Sequence, residues 1–104
     1  MRRLSEFEPP LAVVSDATTP LSTGRRGFAG TIAEVRPGAA AGGLDGLEIE
    51  RRLLEMGLIE GAPIEIVHEG LFGRDPIAVK LADRTVALRR REARAVMVRP
   101  KAVR

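Results

Sequence analysis

The sequence predicts a mostly β fold: a small SH3-like five-stranded barrel, with one inserted α-helix and a short helical turn before the last strand. The first supporting observation is the run 51–66, which contains the end of an amphipathic helix, a glycine stop at Gly57, a turn at Gly61 and a strand that begins at Pro63. The second is that the later segments are short and alternate apolar with polar residues between turn residues. Closing such short strands into a barrel protects sheet edges that they would otherwise expose.

The first strand and the helix come before this run. Residues 28–35 are typical of a strand, and Gly30 inside it indicates a bulge or the close approach of another backbone. Asp45 and Glu48 have the spacing of a capping box, in which the two side chains satisfy free amides at the start of a helix. Apolar residues then recur at helical spacing as far as Met56. We therefore expect a short helix whose stability depends on packing against the strands.

Three strands, a helical turn and a last strand follow the glycine stop. In the first of these strands, Ile64, Ile66 and His68 are predicted to share one face, because side chains alternate along a strand. Residues 70–76 contain two glycines and a proline and are predicted to form a loop. The other predicted elements are strands at 77–81 and 85–88, a helical turn at 89–95 and a last strand at 96–98.

Composition limits the functions open to the chain. The 104 residues include no cysteine and one histidine, which excludes disulfides, thiolate nucleophiles and a His-rich metal cage within one chain. Three Phe and no Trp or Tyr disfavour aromatic peptide grooves and base-stacking platforms. The carboxylates are scattered, so we expect no enzymatic activity. A formal net charge of +3 and a pI of about 10.5 indicate an anionic partner, either nucleic acid or an acidic protein surface.

The length fits a single domain with a segment on either side. Residues 1–20 contain three prolines and a polar run, and we expect a flexible extension there. The apolar cluster at 11–14 is too short for the core of a signal peptide or for a membrane span. We expect the barrel at 21–99, a basic tail at 100–104 and a cytoplasmic location, since nothing in the sequence requires an oxidising compartment.

An apolar pair is the first candidate for partner binding. Leu71 and Phe72 stand between two glycines and are predicted to be exposed at a loop tip, where apolar residues often mark a partner site. Leu58 and Ile59, after the glycine stop, are predicted to form a second part of the same surface. The alternative is that Phe72 caps the end of the barrel.

A basic cluster is the second candidate. Arg89, Arg90 and Arg91 are consecutive, and together with Arg94 they are predicted to contact phosphates or an acidic partner face. Arg25 and Arg26 would join them if the fold brings the two segments together. A solvated basic turn is the alternative interpretation.

His68 is a weak candidate for binding a metal. Its neighbour Glu69 is the one residue that suggests a pair, but neighbours on a strand point to opposite faces and do not form a ready chelate. His68 is in register with Ile64 and Ile66, which favours a partly buried structural histidine. No metal ligand set is predicted.

Several separated blocks of the sequence match the pattern of one family in order. The central block has an Arg-Leu pair, a helix that ends at Met56-Gly57, and an alternating strand after Gly61. The blocks are 27–35, 52–67, 73–77, 86–89 and 92–93. Over residues 21–99 the chain resembles the ferrous-iron transport protein A (FeoA) family.

The resemblance implies an SH3-like barrel and a small cytoplasmic accessory protein of bacterial ferrous-iron uptake. The implied partner is the large membrane transporter with its GTP-binding domain. The same domain occurs at the carboxyl end of metal-dependent repressors, where it contributes carboxylate or histidine ligands, but no such ligand set can be assigned here.

We therefore expect a non-enzymatic accessory protein that docks on the iron transporter and requires no cofactor. Two alternatives remain at this stage: a small-barrel nucleic-acid binder and a stand-alone transition-metal sensor with weak metal binding at His68. A stable nucleic-acid complex is not expected, because acidic residues are mixed among the basic ones. Short strands and apolar loops are compatible with a homo-oligomer.

Overall fold

The computed structural model describes residues 17–39 and 46–101, and the predicted helix-capping residue Asp45 lies outside these ranges. Within these ranges there are six strands: β1 (Thr19–Pro20), β2 (Ala29–Val35), β3 (Pro63–Phe72), β4 (Asp75–Lys80), β5 (Thr85–Leu88) and β6 (Val96–Pro100). The helices are α1 (Gly46–Met56) and α2 (Arg90–Ala93), with 3₁₀ helices at Leu21–Thr23 and Pro37–Ala39. In the described ranges, no helix is long and apolar enough to cross a membrane.

All six strands belong to one antiparallel sheet, in the order β1-β6-β2-β3-β4-β5. The predicted fold class is confirmed: the domain is mostly β, with one helix before the meander and a helical turn before the last strand. The five predicted strands are all present. The sixth, β1, pairs with β6 through Thr19 opposite Val98, and it comes from residues predicted to belong to the flexible extension.

A contact between two short helices connects the two edges of the sheet, which are formed by β1 and β5. In the part of the chain that the structure describes, β1 and β5 do not pair with each other. Instead, α2 packs against the 3₁₀ helix Leu21–Thr23, which follows β1 directly. The Arg90 guanidinium, at the start of α2, donates hydrogen bonds to the carbonyl oxygens of Ser22 (2.8 Å) and Gly24 (2.9 Å). A side chain therefore joins two ends of the sheet that strand pairing leaves apart.

The end of α1 confirms the predicted glycine stop. Gly57 has φ of 96°, a left-handed conformation that suits glycine because it has no Cβ. Its amide donates to the carbonyl oxygen of Leu54 (3.0 Å), and the amide of Leu58 donates to that of Leu53 (2.9 Å). These two bonds form a Schellman motif, whose usual hydrophobic contact brings the residue after the glycine back against the helix.

The same motif shows that one predicted surface residue was placed wrongly. Leu58 was predicted to lie on an exposed apolar surface, but it is completely buried in the core. The Schellman geometry turns its side chain inward, toward the buried Leu53, and leaves the next residue, Ile59, half-exposed.

A bulge in β3 reverses the face to which His68 points. Ile66 pairs with Val79 and His68 pairs with Ala78, so Val67 is an extra residue without its own partner. One extra residue shifts the two-residue alternation by one position. The prediction that His68 shares a buried face with Ile66 is therefore wrong, and His68 is exposed.

The core is aliphatic, as the scarcity of aromatic residues requires. It draws side chains from α1 and from every strand except β1.

Gly30 is needed where β2 meets β6, because a Cβ at this position would lie 2.3 Å from the carbonyl oxygen of Arg99. The predicted close backbone approach is confirmed, and the irregularity in β2 lies further along, between Ile32 and Glu34.

A buried carboxylate links α1 to α2. Glu92 of α2 is 6% exposed. One of its oxygens accepts a hydrogen bond from the amide of Arg89 (3.0 Å), and the other pairs with the guanidinium of Arg52 on α1. The first contact caps α2 and the second fixes α1 against it, so Glu92 positions the segment that carries the arginines.

Candidate functional site

The segment predicted as a loop is in fact a β-hairpin. β3 and β4 shift register between Glu69 and Phe72 and pair again at their ends, with Phe72 opposite Asp75 and only Gly73 and Arg74 between them. Both turn residues have positive φ, 69° and 60°, the combination that a type I′ turn requires. The loop prediction for residues 70–76 is therefore wrong, because the two strands continue through it.

Two large apolar side chains lie at this hairpin tip, defined here as residues 71–74. Leu71 is 91% exposed and Phe72 is 87% exposed, so the exposure predicted from the sequence is confirmed. Gly70 lets the strands approach closely just behind the tip, since a Cβ there would lie 2.2 Å from the carbonyl oxygen of Asp75. A paired hairpin with a two-residue turn thus presents both side chains to solvent in defined positions.

Behind the tip, three guanidinium groups surround one carboxylate. Glu69 lies in β3, two residues before Leu71, and its side chain is 17% exposed. Its oxygens lie 3.3 Å from Nη2 of Arg90, 3.5 Å from Nε of Arg25 and 3.7 Å from Nε of Arg74. The amide of Arg26 also donates to Glu69 (2.9 Å). Positive charge therefore collects at the base of the apolar tip.

The fold brings the two arginine segments together, because Arg25 and Arg90 both reach Glu69. Arg90 nevertheless points inward and has a side chain only 20% exposed. Besides its bonds to Ser22 and Gly24, it donates through Nε to the carbonyl oxygen of Arg74 (2.8 Å). Its amide donates to Asp75 (2.9 Å). These contacts give Arg90 a structural position, although it was predicted as a partner-binding residue.

The neighbours of Arg90 are placed differently. Arg89 and Arg91 are exposed, and neither forms an ion pair with any described residue. With Arg52 and Pro76 they line a shallow cleft of about 290 Å³. Of the three consecutive arginines, the outer two are free to meet an anionic group. We call the hairpin tip, which includes Arg74, together with Arg25, Arg89 and Arg91 the tip surface.

Ile59 does not belong to the tip surface. It is 49% exposed and lies in the turn before β3, where its carbonyl oxygen accepts from the amide of Ala62. The tip lies at the other end of β3, and ten residues of strand separate the two by roughly 30 Å. The prediction that the residues after the glycine stop join Leu71 and Phe72 in one surface is therefore wrong.

The electrostatics give no indication of a catalytic or metal centre. Across residues 17–39 and 46–101, no group of three or more acidic or histidine side chains could hold a metal ion. The pKa of Glu34 is lowered by a hydrogen bond from the Arg36 side chain, and the same contact raises the pKa of Arg36. This exposed pair lies at the end of β2 away from the hairpin tip.

The comparisons with known proteins agree with this geometry. The family model of the FeoA domain matches residues 19–100, which is most of the chain and includes β1. The chain belongs to the FeoA family. No curated protein sequence matches it significantly.

Solved structures extend this assignment. An iron uptake regulatory protein, FeoA, is 26% identical with a TM-score of 0.65, over 82% of this chain and 100% of that chain. Stenotrophomonas maltophilia FeoA, in complex with zinc, is 29% identical with a TM-score of 0.61, over 77% of this chain and 88% of that chain. It is described as an SH3-domain protein and a candidate activating factor of ferrous-iron transport. The predicted SH3-like fold of this FeoA-family chain is therefore confirmed.

The fold also occurs in a different setting. A manganese-dependent transcriptional repressor is 21% identical with a TM-score of 0.65, over 81% of this chain and 42% of that chain. At this identity the likeness shows the fold alone. Membership of a family of iron-transport accessory proteins agrees with the predicted absence of enzymatic activity.

Proposed function

We propose that this FeoA-family protein is a cytoplasmic accessory protein that regulates ferrous-iron uptake by docking on the membrane iron transporter through the tip surface. The supporting observation is the exposure of Leu71 and Phe72, at 91% and 87%, on a two-residue hairpin turn. Leaving two such side chains in water is unfavourable, and burying each against a partner is worth about 1.5–3 kcal/mol. A few anchor residues that become buried in a partner's pocket carry most of the binding energy of a protein interface.

The arginines around the tip can orient the protein on a partner, because charge contacts depend on direction and partner charge whereas apolar contacts do not. Arg25 and Arg74 are 65% and 57% exposed beside the tip. Arg89 and Arg91 are exposed on either side of Arg90 in the sequence and form no ion pair with any described residue. Exposed charges at an interface rim raise the association rate and select partners of opposite charge more than they add affinity. We therefore expect the transporter to offer an apolar pocket with an acidic rim.

Docking can change transport only if it favours one state of the transporter. A protein that binds two states equally shifts neither, so regulation requires tighter binding to one of them. The hairpin suits this role because its strand pairing and two-residue turn restrict the backbone of the tip, which lowers the ordering cost of binding. We propose that the tip surface recognises a conformation-dependent pocket on the cytoplasmic side of the transporter.

The two alternative functions receive less support. The nucleic-acid alternative was based on a cluster of free arginines, whereas Arg90 points inward and Glu69 pairs with Arg25, Arg74 and Arg90, so that only Arg89 and Arg91 of the consecutive three are without an ion pair to a described residue. A metal sensor built on His68 would need further ligands, and no cluster of three ligand-type side chains occurs in the described part of the chain.

Replacing Phe72 with alanine is expected to shift the initial rate of ferrous-iron uptake from the wild-type rate to the rate of a strain that lacks this protein. The reason is the loss of the main apolar anchor, since Phe72 is exposed and makes no contribution to the core. The measurement is uptake of radiolabelled Fe²⁺ by the deletion strain complemented with each variant at equal protein level. Leu54→Ala is the matched control, because Leu54 is an exposed apolar residue that belongs to α1 and not to the hairpin. Wild-type uptake with Phe72→Ala would contradict the proposal.

A further inference from the structure

Helix α1 exposes apolar residues of its own. Leu47 is 75% exposed and Leu54 is 52% exposed, whereas Ile49 and Leu53, on the other side of the helix, are buried in the core. Leu47 and Leu54 are seven residues apart, so they lie on one stripe of the helix, two turns from each other. None of the tip-surface residues belongs to α1, and this stripe is therefore a separate surface.

Two charged residues lie between these leucines on the same stripe. Glu50 and Arg51 follow Leu47 by three and four residues, the spacing at which helical side chains share a face. Both are exposed, and neither forms an ion pair with any described residue. The stripe therefore presents one acid and one base between two leucines.

The order of these four residues is self-complementary. When a two-fold axis relates two copies of a surface, each contact between one residue and another is made twice, once in each direction. If Glu50 faces Arg51 of an antiparallel second copy, Arg51 also faces Glu50 of that copy. Leu47 then faces Leu54, because Leu47 precedes Glu50 by as many residues as Leu54 follows Arg51. One register thus forms two ion pairs and two leucine pairs together.

Charge disfavours the parallel arrangement of the same two helices. Parallel copies would place Glu50 beside Glu50 and Leu47 beside Leu47, and like charges that face each other are unfavourable. Charged residues beside an apolar helix seam set the choice of partner and its orientation. The stripe therefore favours a second copy of the chain in the antiparallel orientation.

From these observations we infer that α1 is a homodimer interface, in which two copies pack antiparallel through Leu47, Glu50, Arg51 and Leu54. The helix has 11 residues and is about 16 Å long. A contact confined to one such face is smaller than a standard interface of about 1,200–2,000 Å². The dimer is therefore weak and reversible, and its population depends on the concentration of the protein. It uses none of the tip-surface residues.

Sedimentation equilibrium of the full chain tests this inference. We expect the weight-average mass to rise from that of one chain toward that of two between about 10 μM and 1 mM, the affinity range of small contacts. Glu50→Arg and Arg51→Glu each replace two ion pairs with two like-charge contacts. Each should raise the dissociation constant of the dimer by about tenfold. A wild-type chain that remains monomeric at the highest concentration would overturn the inference.

A mixture of the two charge variants tests the register itself. The Glu50→Arg chain carries two bases at these positions and the Arg51→Glu chain carries two acids, so each variant repels its own copy and attracts the other. The equimolar mixture should therefore dimerise although neither variant does so alone at the same concentration. The double variant Glu50→Arg/Arg51→Glu exchanges the two signs and should dimerise as the wild type does. A mixture no more associated than its components would overturn the inference.

Two further variants separate this interface from other surfaces. Glu60→Arg makes the same charge change at an exposed residue outside α1 and should leave the dissociation constant unchanged. Leu54→Ala should raise it by about tenfold, because both leucine pairs are truncated, and should leave the affinity for the transporter unchanged. The dimer and the docking proposal can therefore fail independently. Association that persists unchanged in the α1 variants would come from another surface and would overturn the inference.

Discussion

Replacing Arg90 with alanine is expected to lower the free energy of unfolding by about 3 kcal/mol, a large part of the stability of a domain of this size. The guanidinium of Arg90 donates to three carbonyl oxygens, those of Ser22, Gly24 and Arg74, and lies 3.3 Å from Glu69. Removing it leaves these acceptors without their partner and breaks the link between the two outer ends of the sheet. Arg90→Lys should lose most of the same stability, because one ammonium group cannot replace a planar fork of donors.

The matched control for this prediction is the adjacent residue. Arg89→Ala removes the same side-chain type from an exposed position that has no ion pair with described residues, so its effect should stay within about 0.5 kcal/mol. Urea unfolding of the three proteins gives the comparison directly, with an unchanged denaturant slope indicating an unchanged unfolding reaction. Equal midpoints for Arg90→Ala and Arg89→Ala would show that Arg90 does not hold the sheet together.

Replacing Gly30 with alanine is expected to destabilise the fold by about 3 kcal/mol or to prevent folding. The new Cβ would lie 2.3 Å from the carbonyl oxygen of Arg99 and 2.7 Å from Cγ1 of Val98, so β2 and β6 would have to separate. A glycine-to-alanine change at a compatible site stabilises by about 0.4–1 kcal/mol, because it restricts the unfolded chain. The backbone clash is the larger effect and decides the sign.

Gly38 provides the control for this change. A Cβ at Gly38 meets no atom within 4 Å, so Gly38→Ala should be neutral or slightly stabilising. The measurement is thermal unfolding followed by circular dichroism, with soluble yield recorded for variants that do not fold. If Gly30→Ala unfolded at or above the temperature of Gly38→Ala, the close approach of β2 and β6 would be disproved.

Local sequence signals predicted the features that depend on one or two residues. Gly57 ends α1 as expected, since glycine readily adopts the left-handed conformation found there. Gly30 marked the close approach of another backbone, and two apolar residues between glycines marked an exposed tip. In each case the residue type itself carries the constraint, the lack of a Cβ or a large apolar side chain between two glycines, so the sequence alone was enough to predict the feature.

Features that depend on pairing across the sheet were not predictable in this way. The bulge at Val67 exposes His68, but nothing in the strand pattern distinguishes a bulged residue from a regular one. Leu58 and Ile59 look equivalent in the sequence, and only the geometry of the Schellman motif buries the first. The role of Glu69 depends on residues 5 to 44 positions away meeting at one carboxylate, and no local signal carries that information.

The most direct test of the tip surface is a calorimetric titration of the chain against the purified, detergent-solubilised iron transporter. Use of the whole transporter keeps any membrane-proximal part of the docking site. We expect saturable binding whose affinity falls by about 10- to 30-fold with Phe72→Ala, since an apolar hot spot contributes about 2 kcal/mol, and stays unchanged with Leu54→Ala. Equal affinities for wild type and Phe72→Ala would contradict the assignment of the hairpin tip as the docking surface.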